Sequence, residues 1–337
     1  MNKKGMKRAT IYDVANQADV SITTVSRFLN NPTSVKVETG TRIAESMEKL
    51  DYIRQGNAGT QASRMVGRIG VLTPFFPAPS FVERLRGMIP PLKENNFEVV
   101  IYTIEGADQL DEYLSSVPFT SRIDGLVLMS VNLTPEQHRI ITASGLHVVM
   151  VESDNENYTR VLADDYRGGQ IAAELFLQKN YIDCAFMGDK NQKISYSCHP
   201  SEARHQGFKE TLSQGGIELA EDNILFADTT VKDSHRVFGE YLDAGNRPRA
   251  LFAMCDLQAI GVMKAARERH IQIPGELAIL GFDNIDSSEW MDLSTISQHL
   301  GDSGRIAAGL LMDLISGKAK NVQKTNLQVG LIERSTT

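Results

Sequence analysis

The strongest constraint on this chain is a pair of short amphipathic runs separated by four residues near the N-terminus. Ile11 to Gln17 is followed by the break Ala18-Asp19-Val20-Ser21 and then by a second run from Ile22 to Leu29. Two helices joined over so few residues have the spacing of a helix-turn-helix. Ser21 precedes the second run, and its hydroxyl is suited to accept from a free backbone N–H of the first turn, so the second helix is predicted to start there. A third helix is expected from about Glu38 to Leu50, with Ile43, Met47 and Leu50 at helical spacing to cover Val14, Val20, Val25 and Leu29. Ile22, Thr23, Ser26, Arg27 and Asn30 then remain on the outer face of the second helix. Short hydroxyls, an amide and a guanidinium together suit a groove of DNA.

Charge points the same way. Residues 1–68 hold eleven Lys and Arg against six acids, a formal +5, while the remainder carries 24 bases against 36 acids, so the net −7 conceals two oppositely charged parts. Only the N-terminal part is expected to seek phosphate. With 337 residues, 42% of them hydrophobic, the chain has enough material for two or three domains. The opening Met1-Asn2-Lys3-Lys4-Gly5-Met6-Lys7-Arg8 is charged rather than apolar, and no run reaches membrane-spanning length, so neither secretion nor membrane insertion is expected. Cys184, Cys198 and Cys255 are odd in number and widely separated, which fits a reduced compartment and a cytoplasmic protein.

The stretch Ile53 to Arg64 is short, polar and holds Gly56 and Gly59, so it reads as a linker. Beyond it, β-rich runs alternate with amphipathic ones. The runs Ile69–Leu72, Val99–Tyr102, Gly125–Met129, Val148–Val151, Cys184–Met187, Ile224–Phe226, Ala250–Ala253 and Ala278–Phe282 are separated by helical patterns. Such alternation means parallel sheet, and the number of strands exceeds one six-stranded sheet. The expected fold is an all-α headpiece followed by an α/β core of two doubly wound lobes, with ligands at the carboxyl ends of the strands where the lobes face each other.

Six stretches carry a resemblance: Ile11-Tyr12-Asp13-Val14-Ala15 with Thr24-Val25-Ser26-Arg27, Ile69-Gly70-Val71, Ile123-Asp124-Gly125-Leu126, Arg204-His205-Gln206-Gly207-Phe208, Ile279-Leu280-Gly281-Phe282-Asp283, and Leu331-Ile332-Glu333-Arg334-Ser335-Thr336. Together they resemble the lactose-repressor family of bacterial transcription regulators, whose core is similar to a periplasmic sugar-binding protein. The resemblance implies a headpiece over 1–53, a hinge over 54–67 and a core over 68–337, with one lobe from about 68–163 and 292–322 and the other from 164–291 and 323–337. It places Ile22, Thr23 and Arg27 at base-reading positions, and Thr10, Ser21, Thr24, Ser26, Asn30 and Thr39 at backbone and phosphate contacts. The chemistry agrees: a guanidinium can donate two parallel hydrogen bonds to a guanine edge, whereas Ile22 offers apolar contact, best to a thymine methyl.

The hinge departs from the family pattern. Arg54 and Gln55 replace a Pro-Asn pair, and Gln61 stands where a leucine wedges into the minor groove; Ala58 and Gln61 are the hinge residues implied. Wedging uses an apolar side chain because it must replace base stacking. Gly56 and Gly59 each weaken a helix by about 1 kcal/mol relative to Ala, so the hinge is expected to fold reluctantly. Lys36 also replaces a small N-cap, and Asp19 a turn glycine, which Asp tolerates.

In the core, the resemblance implies effector contacts at Glu152, Arg204, Cys255, Asp256 and Asp283, with Cys255 replacing an asparagine. An arginine opposite a carboxylate can grip neighbouring hydroxyls through charge-assisted bonds, chemistry that favours a polyol ring. Phe75, Phe76 and Phe81, in the loop after Leu72, offer faces on which a sugar could stack, although single rings are more often core. The polar segment between Gly188 and Glu202 reads as a cleft-lining loop, not as a metal site, because no second Cys or His lies at ligand spacing.

Gly168-Gly169 and Gly215-Gly216 form no nucleotide fingerprint, and no catalytic constellation or cofactor motif is recognisable, so no enzyme is expected. A free sugar-binding transport protein would lack the headpiece. The expected partners are a near-palindromic DNA operator, a small effector, most naturally a carbohydrate, and a second copy of the chain. Only six residues follow Leu331, too few for a heptad tail, which favours a homodimer. A regulator answering to a protein corepressor or a nucleoside-type ligand is the alternative.

Overall fold

The computed structural model describes residues 10–30, 35–50, 66–119, 123–190 and 194–337. In the headpiece, α1 spans Ile11–Gln17, α2 Ile22–Asn30 and α3 Val37–Lys49. Thr10 and Asp13 cap α1 reciprocally: the Thr10 hydroxyl accepts from the Asp13 N–H at 3.4 Å, and the Asp13 carboxylate accepts from the Thr10 N–H at 2.7 Å. Ser21 caps α2 by accepting from the Thr24 N–H at 3.1 Å. Asp19 makes the turn between them with φ of 51°, the left-handed conformation that a short polar side chain tolerates better than most. Val14, Ala15, Ala18, Val25 and Ile43 are buried together, with Val20, Leu29, Met47 and Leu50 packed around them, so three short helices share one core.

In the α/β core, the first lobe holds β1 (Gly67–Thr73), α4 (Pro79–Glu94), β2 (Phe97–Thr103), α5 (Ala107–Ser116), β3 (Gly125–Met129), α6 (Pro135–Ser144), β4 (His147–Val151) and β5 (Thr159–Ala163). The second holds α7 (Asp165–Gln178), β6 (Cys184–Asp189), α8 (Pro200–Gln214), β7 (Ile224–Ala227), α9 (Val231–Asp243), β8 (Ala250–Ala253), α10 (Asp256–Glu268), β9 (Ala278–Asp283), α11 (Asp286–Trp290) and β10 (Ser294–Ser297). The chain then returns to the first lobe for α12 (Leu300–Ile315) and β11 (Lys324–Leu327), and to the second for β12 (Gly330–Ile332).

The first sheet runs β11-β5-β4-β3-β1-β2 and is parallel throughout. The second runs β12-β10-β9-β8-β6-β7, parallel except for the antiparallel edge strand β12. Helices cover both faces of these sheets, which is why β3 and β9 are buried along their whole length and read in sequence as unbroken apolar runs. The order of strands reverses at β1/β3 and at β6/β8, and ligands in open α/β sheets bind beyond the carboxyl ends of strands at such points.

Two boundaries differ from the expected ones. Strand β10 belongs to the second sheet and β11 to the first, so the returns fall near residues 298–299 and 328–329 rather than after 291 and 322. The four-residue β10, Ser-Thr-Ile-Ser, is fully buried yet mostly hydroxylated, so it lacks the apolar signature on which a boundary can be read.

Candidate functional site

The carboxyl ends of both sheets face a cleft of about 670 Å³, counted to its open mouth. Of the residues expected there, Phe75, Phe81, Glu152, Arg204, Cys255 and Asp283 line it. The Phe75 and Phe81 rings lie 5.7 Å apart.

Two expected residues are placed elsewhere. Phe76 packs against the first-lobe core, as rings in such loops often do. Asp256 is completely buried behind the cleft, where it accepts hydrogen bonds from the Ile285 N–H at 3.0 Å and from the Ser288 and Thr295 hydroxyls at 2.6 Å each. It anchors the segment after β9 instead of meeting a ligand. Burial pushes its pKa up, against the pull of those bonds.

Arg204 stands on α8 because that helix packs tightly on α7 through two glycines. A Cβ on Gly169 would lie 2.0 Å from the Arg204 carbonyl oxygen, and one on Gly207 would lie 2.1 Å from that of Tyr166. The Arg204 guanidinium lies 3.6 Å from the centre of the Phe282 ring, donates through Nε to Asp165 at 2.8 Å, and approaches Asp283 at 4.0 Å. Burial opposes its charge, but Asp165 and Asp283 outweigh it and hold its pKa above the ordinary arginine value. Burial likewise pushes Asp165 and Asp283 up, with Arg204 partly offsetting the shift in each.

Sequence reasoning missed the other half of this network. Arg84, only 2% exposed, pairs with Glu152 and donates to the Gln298 side-chain oxygen at 2.8 Å, while the Gln298 amide nitrogen donates to Asp283 at 2.5 Å. The run Glu152–Arg84–Gln298–Asp283–Arg204–Asp165 therefore crosses from one lobe to the other beside the cleft. Arg84 did leave a signal, a charge at helical spacing within the apolar stripe Phe81, Leu85, Met88 and Leu92. Gln298 left none, since it follows the hydroxylated β10. Strain gathers here too: Ser130, Glu152 and Asp283, all non-glycine, have φ of 57°, 69° and 117° at the ends of β3, β4 and β9.

Among the described residues, neither cysteine of the cleft is an activated nucleophile. Burial pushes the Cys198 thiol up to about 12 and raises that of Cys255, so both stay protonated at neutral pH. Among the described residues, no group of three His, Cys, Asp or Glu is placed to hold a metal, and no helix is long and apolar enough to cross a membrane.

In the headpiece, Ile22 (40% exposed), Thr23 and Arg27 lie on the open face of α2. Thr10 and Ser21 sit at the helix N-termini as caps, Thr24 and Ser26 are half-buried on α2, and Thr39 is half-buried on α3. The side chain of Asn30, and the hinge residues Ala58 and Gln61, lie outside the described residues.

A helix-turn-helix headpiece ahead of a two-lobed core, with a cleft at the carboxyl ends of its sheets, is the architecture of a DNA-binding regulator. Comparison with known proteins agrees at both ends of the chain. Residues 10–55 match the model of bacterial regulatory proteins of the lacI family, and residues 173–337 match the periplasmic binding protein-like domain. Catabolite control protein A of Priestia megaterium is 27% identical over 90% of this chain and 91% of its own length. The ribose operon repressor of Halalkalibacterium halodurans is 28% identical, covering 97% of each chain. A LacI-family regulator from Enterococcus faecium, solved with bound ribose, is 26% identical with a TM-score of 0.71, over 80% of this chain and 98% of that one. The chain belongs to the LacI family of helix-turn-helix transcriptional regulators, DNA-binding proteins rather than enzymes.

Proposed function

We propose that this regulator acts in the cytoplasm as a homodimer on a near-palindromic operator, most naturally as a repressor, and that a carbohydrate in the cleft sets its operator affinity. Ile22, Thr23 and Arg27 read bases, and Thr10, Ser21, Thr24, Ser26, Asn30 and Thr39 meet the backbone. One observation carries the effector reading: Arg204 and Asp283, 4.0 Å apart and buried, both line a cleft whose other wall brings Glu152 and the Phe75 and Phe81 rings. Alternating donors and acceptors beside an apolar face suit a sugar, whose hydroxyls both donate and accept and whose C–H face stacks on aromatic rings. The ribose bound by the Enterococcus relative supports the same chemical class.

Both arginines of this network already have carboxylate partners: Arg84 has Glu152, and Arg204 has Asp165 and Asp283. A neutral ligand leaves these pairs in place, whereas an anionic one would have to break them.

Calorimetric titration of the purified protein with pentoses, hexoses, disaccharides and nucleosides tests the proposal. At least one neutral sugar is expected to bind, and Arg204→Ala to weaken it tenfold or more while operator DNA is still bound, which reports that the chain is folded. Binding of nucleosides alone, or sugar binding unaffected by Arg204→Ala, overturns the proposal.

A further inference from the structure

Two segments far apart in sequence meet along one wall of the cleft. Residues 130–132 follow β3 in the first lobe, and residues 196–198 follow β6 in the second. Val131 and Ser197 form an isolated antiparallel β-bridge. The Asn132 N–H donates to the Tyr196 carbonyl at 3.0 Å, and the Cys198 N–H donates to the Ser130 carbonyl at 3.3 Å. Ser130 turns its carbonyl to this task with φ of 57°, while its own N–H remains bonded to Val151 at 2.9 Å.

Side chains lock the same join. The Asn132 amide donates to the Ser197 carbonyl at 2.8 Å. The Ser153 hydroxyl donates to the Val131 carbonyl at 2.5 Å and lies 2.8 Å from the Cys198 sulfur. Since the single hydroxyl proton of Ser153 is committed to Val131, the thiol supplies the proton in its own contacts, to the Ser153 oxygen or to Asn132 Oδ1 at 3.3 Å. Val131 and Ser197 are fully buried, and Ser130 and Cys198 line the cleft.

We propose that residues 130–132 and 196–198 form a clasp that zips as the lobes close and must part before the cleft opens along this wall, with the Cys198 thiol as its inner pin. Three features distinguish this join from ordinary packing. It pairs backbone with backbone across two lobes whose covalent connections run elsewhere, near residues 164, 298 and 328. It buries groups that water would otherwise satisfy, so a half-open join leaves unpaired donors and acceptors and is disfavoured. It also needs a residue with both a donor and an acceptor at 132 and a hydroxyl at 153, and this chain has Asn and Ser there. The clasp rests on the cleft being a ligand site, but its test reads lobe opening alone, so failure of one can be told from failure of the other.

Alkylation of the intact reduced protein with iodoacetamide, resolved by peptide mass spectrometry, supplies that test. Cys184, buried in the second-lobe core, is the internal reference for folding. Cys198 is expected to react at least tenfold more slowly than glutathione, and Asn132→Ala or Ser153→Ala to accelerate it tenfold or more without changing Cys184. A Cys198 that reacts like glutathione in the unaltered chain, or that stays within twofold in both variants, overturns the clasp. Should either variant unfold, Cys184 accelerates as well, and Ser153→Cys decides: mild diamide oxidation is expected to join it to Cys198 as one intramolecular cross-link. Failure of that cross-link to form while Cys184 stays protected also overturns the proposal.

Discussion

Asp283 shows how burial sets the behaviour of a single side chain. It is only 8% exposed, and desolvation raises its pKa despite Arg204 and the Gln298 amide. A carboxyl whose folded pKa is raised binds its proton more tightly in the folded state than in the unfolded one. Its stabilising contribution is therefore complete below the ordinary carboxylate range and is lost as pH rises through the higher folded value. The ligand-free core should lose thermal stability between about pH 5 and neutrality. Asp283→Asn cannot ionise and retains an oxygen for the Gln298 amide, so it should flatten that loss, as melting temperatures across the range would show. An unchanged slope would move the effect to Asp165 or Asp256, which burial shifts in the same direction. Cys255 illustrates the limits of reading residues singly: its position in the cleft was legible, whereas the diversion of neighbouring Asp256 into a buried hydrogen-bonded anchor was not, because Ser288 and Thr295 reach it from distant parts of the chain.

Among the elements, the headpiece helices were the most legible. Thr10 and Ser21 mark two helix starts by side-chain chemistry that acts over three residues, and the apolar spacing of α1, α2 and α3 leaves one way to bury Val14, Val25 and Ile43 together. Arg27, exposed on the face opposite that core, tests the consequence. Arg27→Ala is expected to lower operator affinity by about 1–3 kcal/mol and to leave weak, salt-sensitive binding to unrelated duplex. Competition binding at two salt concentrations measures both parts, and an unaltered preference for operator would remove Arg27 from the base-reading set. The long core helices α4, α7 and α10 were equally plain, since each carries an apolar stripe at helical spacing. Strands β5, β10, β11 and β12 were not. They are three to five residues long, and β5, β10 and β11 mix polar with apolar residues, so neither alternation nor an unbroken apolar run distinguishes them from loop.

For the whole molecule, the proposed dimer makes a geometric prediction. Two headpieces joined through one assembly contact half-sites at a fixed separation, and inserting about 5 bp between those half-sites rotates one by roughly half a turn of the duplex. Operator affinity in a gel-shift assay should then collapse toward that of a single half-site, and full affinity on the expanded site would argue against paired headpieces. An effector that favours one lobe arrangement over another by about 1–3 kcal/mol would shift operator affinity some 5- to 150-fold. What the amino-acid sequence determined by itself is everything written in local chemistry: helix caps, apolar periods, the division of charge between headpiece and core, and the two lobes implied by repeated strand and helix runs. Tertiary structure alone decided the rest: which strand joins which sheet, that Arg84 and Gln298 carry the polar network between lobes, and that residues 130–132 meet residues 196–198. The physical reason is distance along the chain. Caps and periods act between residues three or four apart, whereas these pairings join groups separated by tens to hundreds of residues, whose meeting depends on how the whole fold buries its sheets.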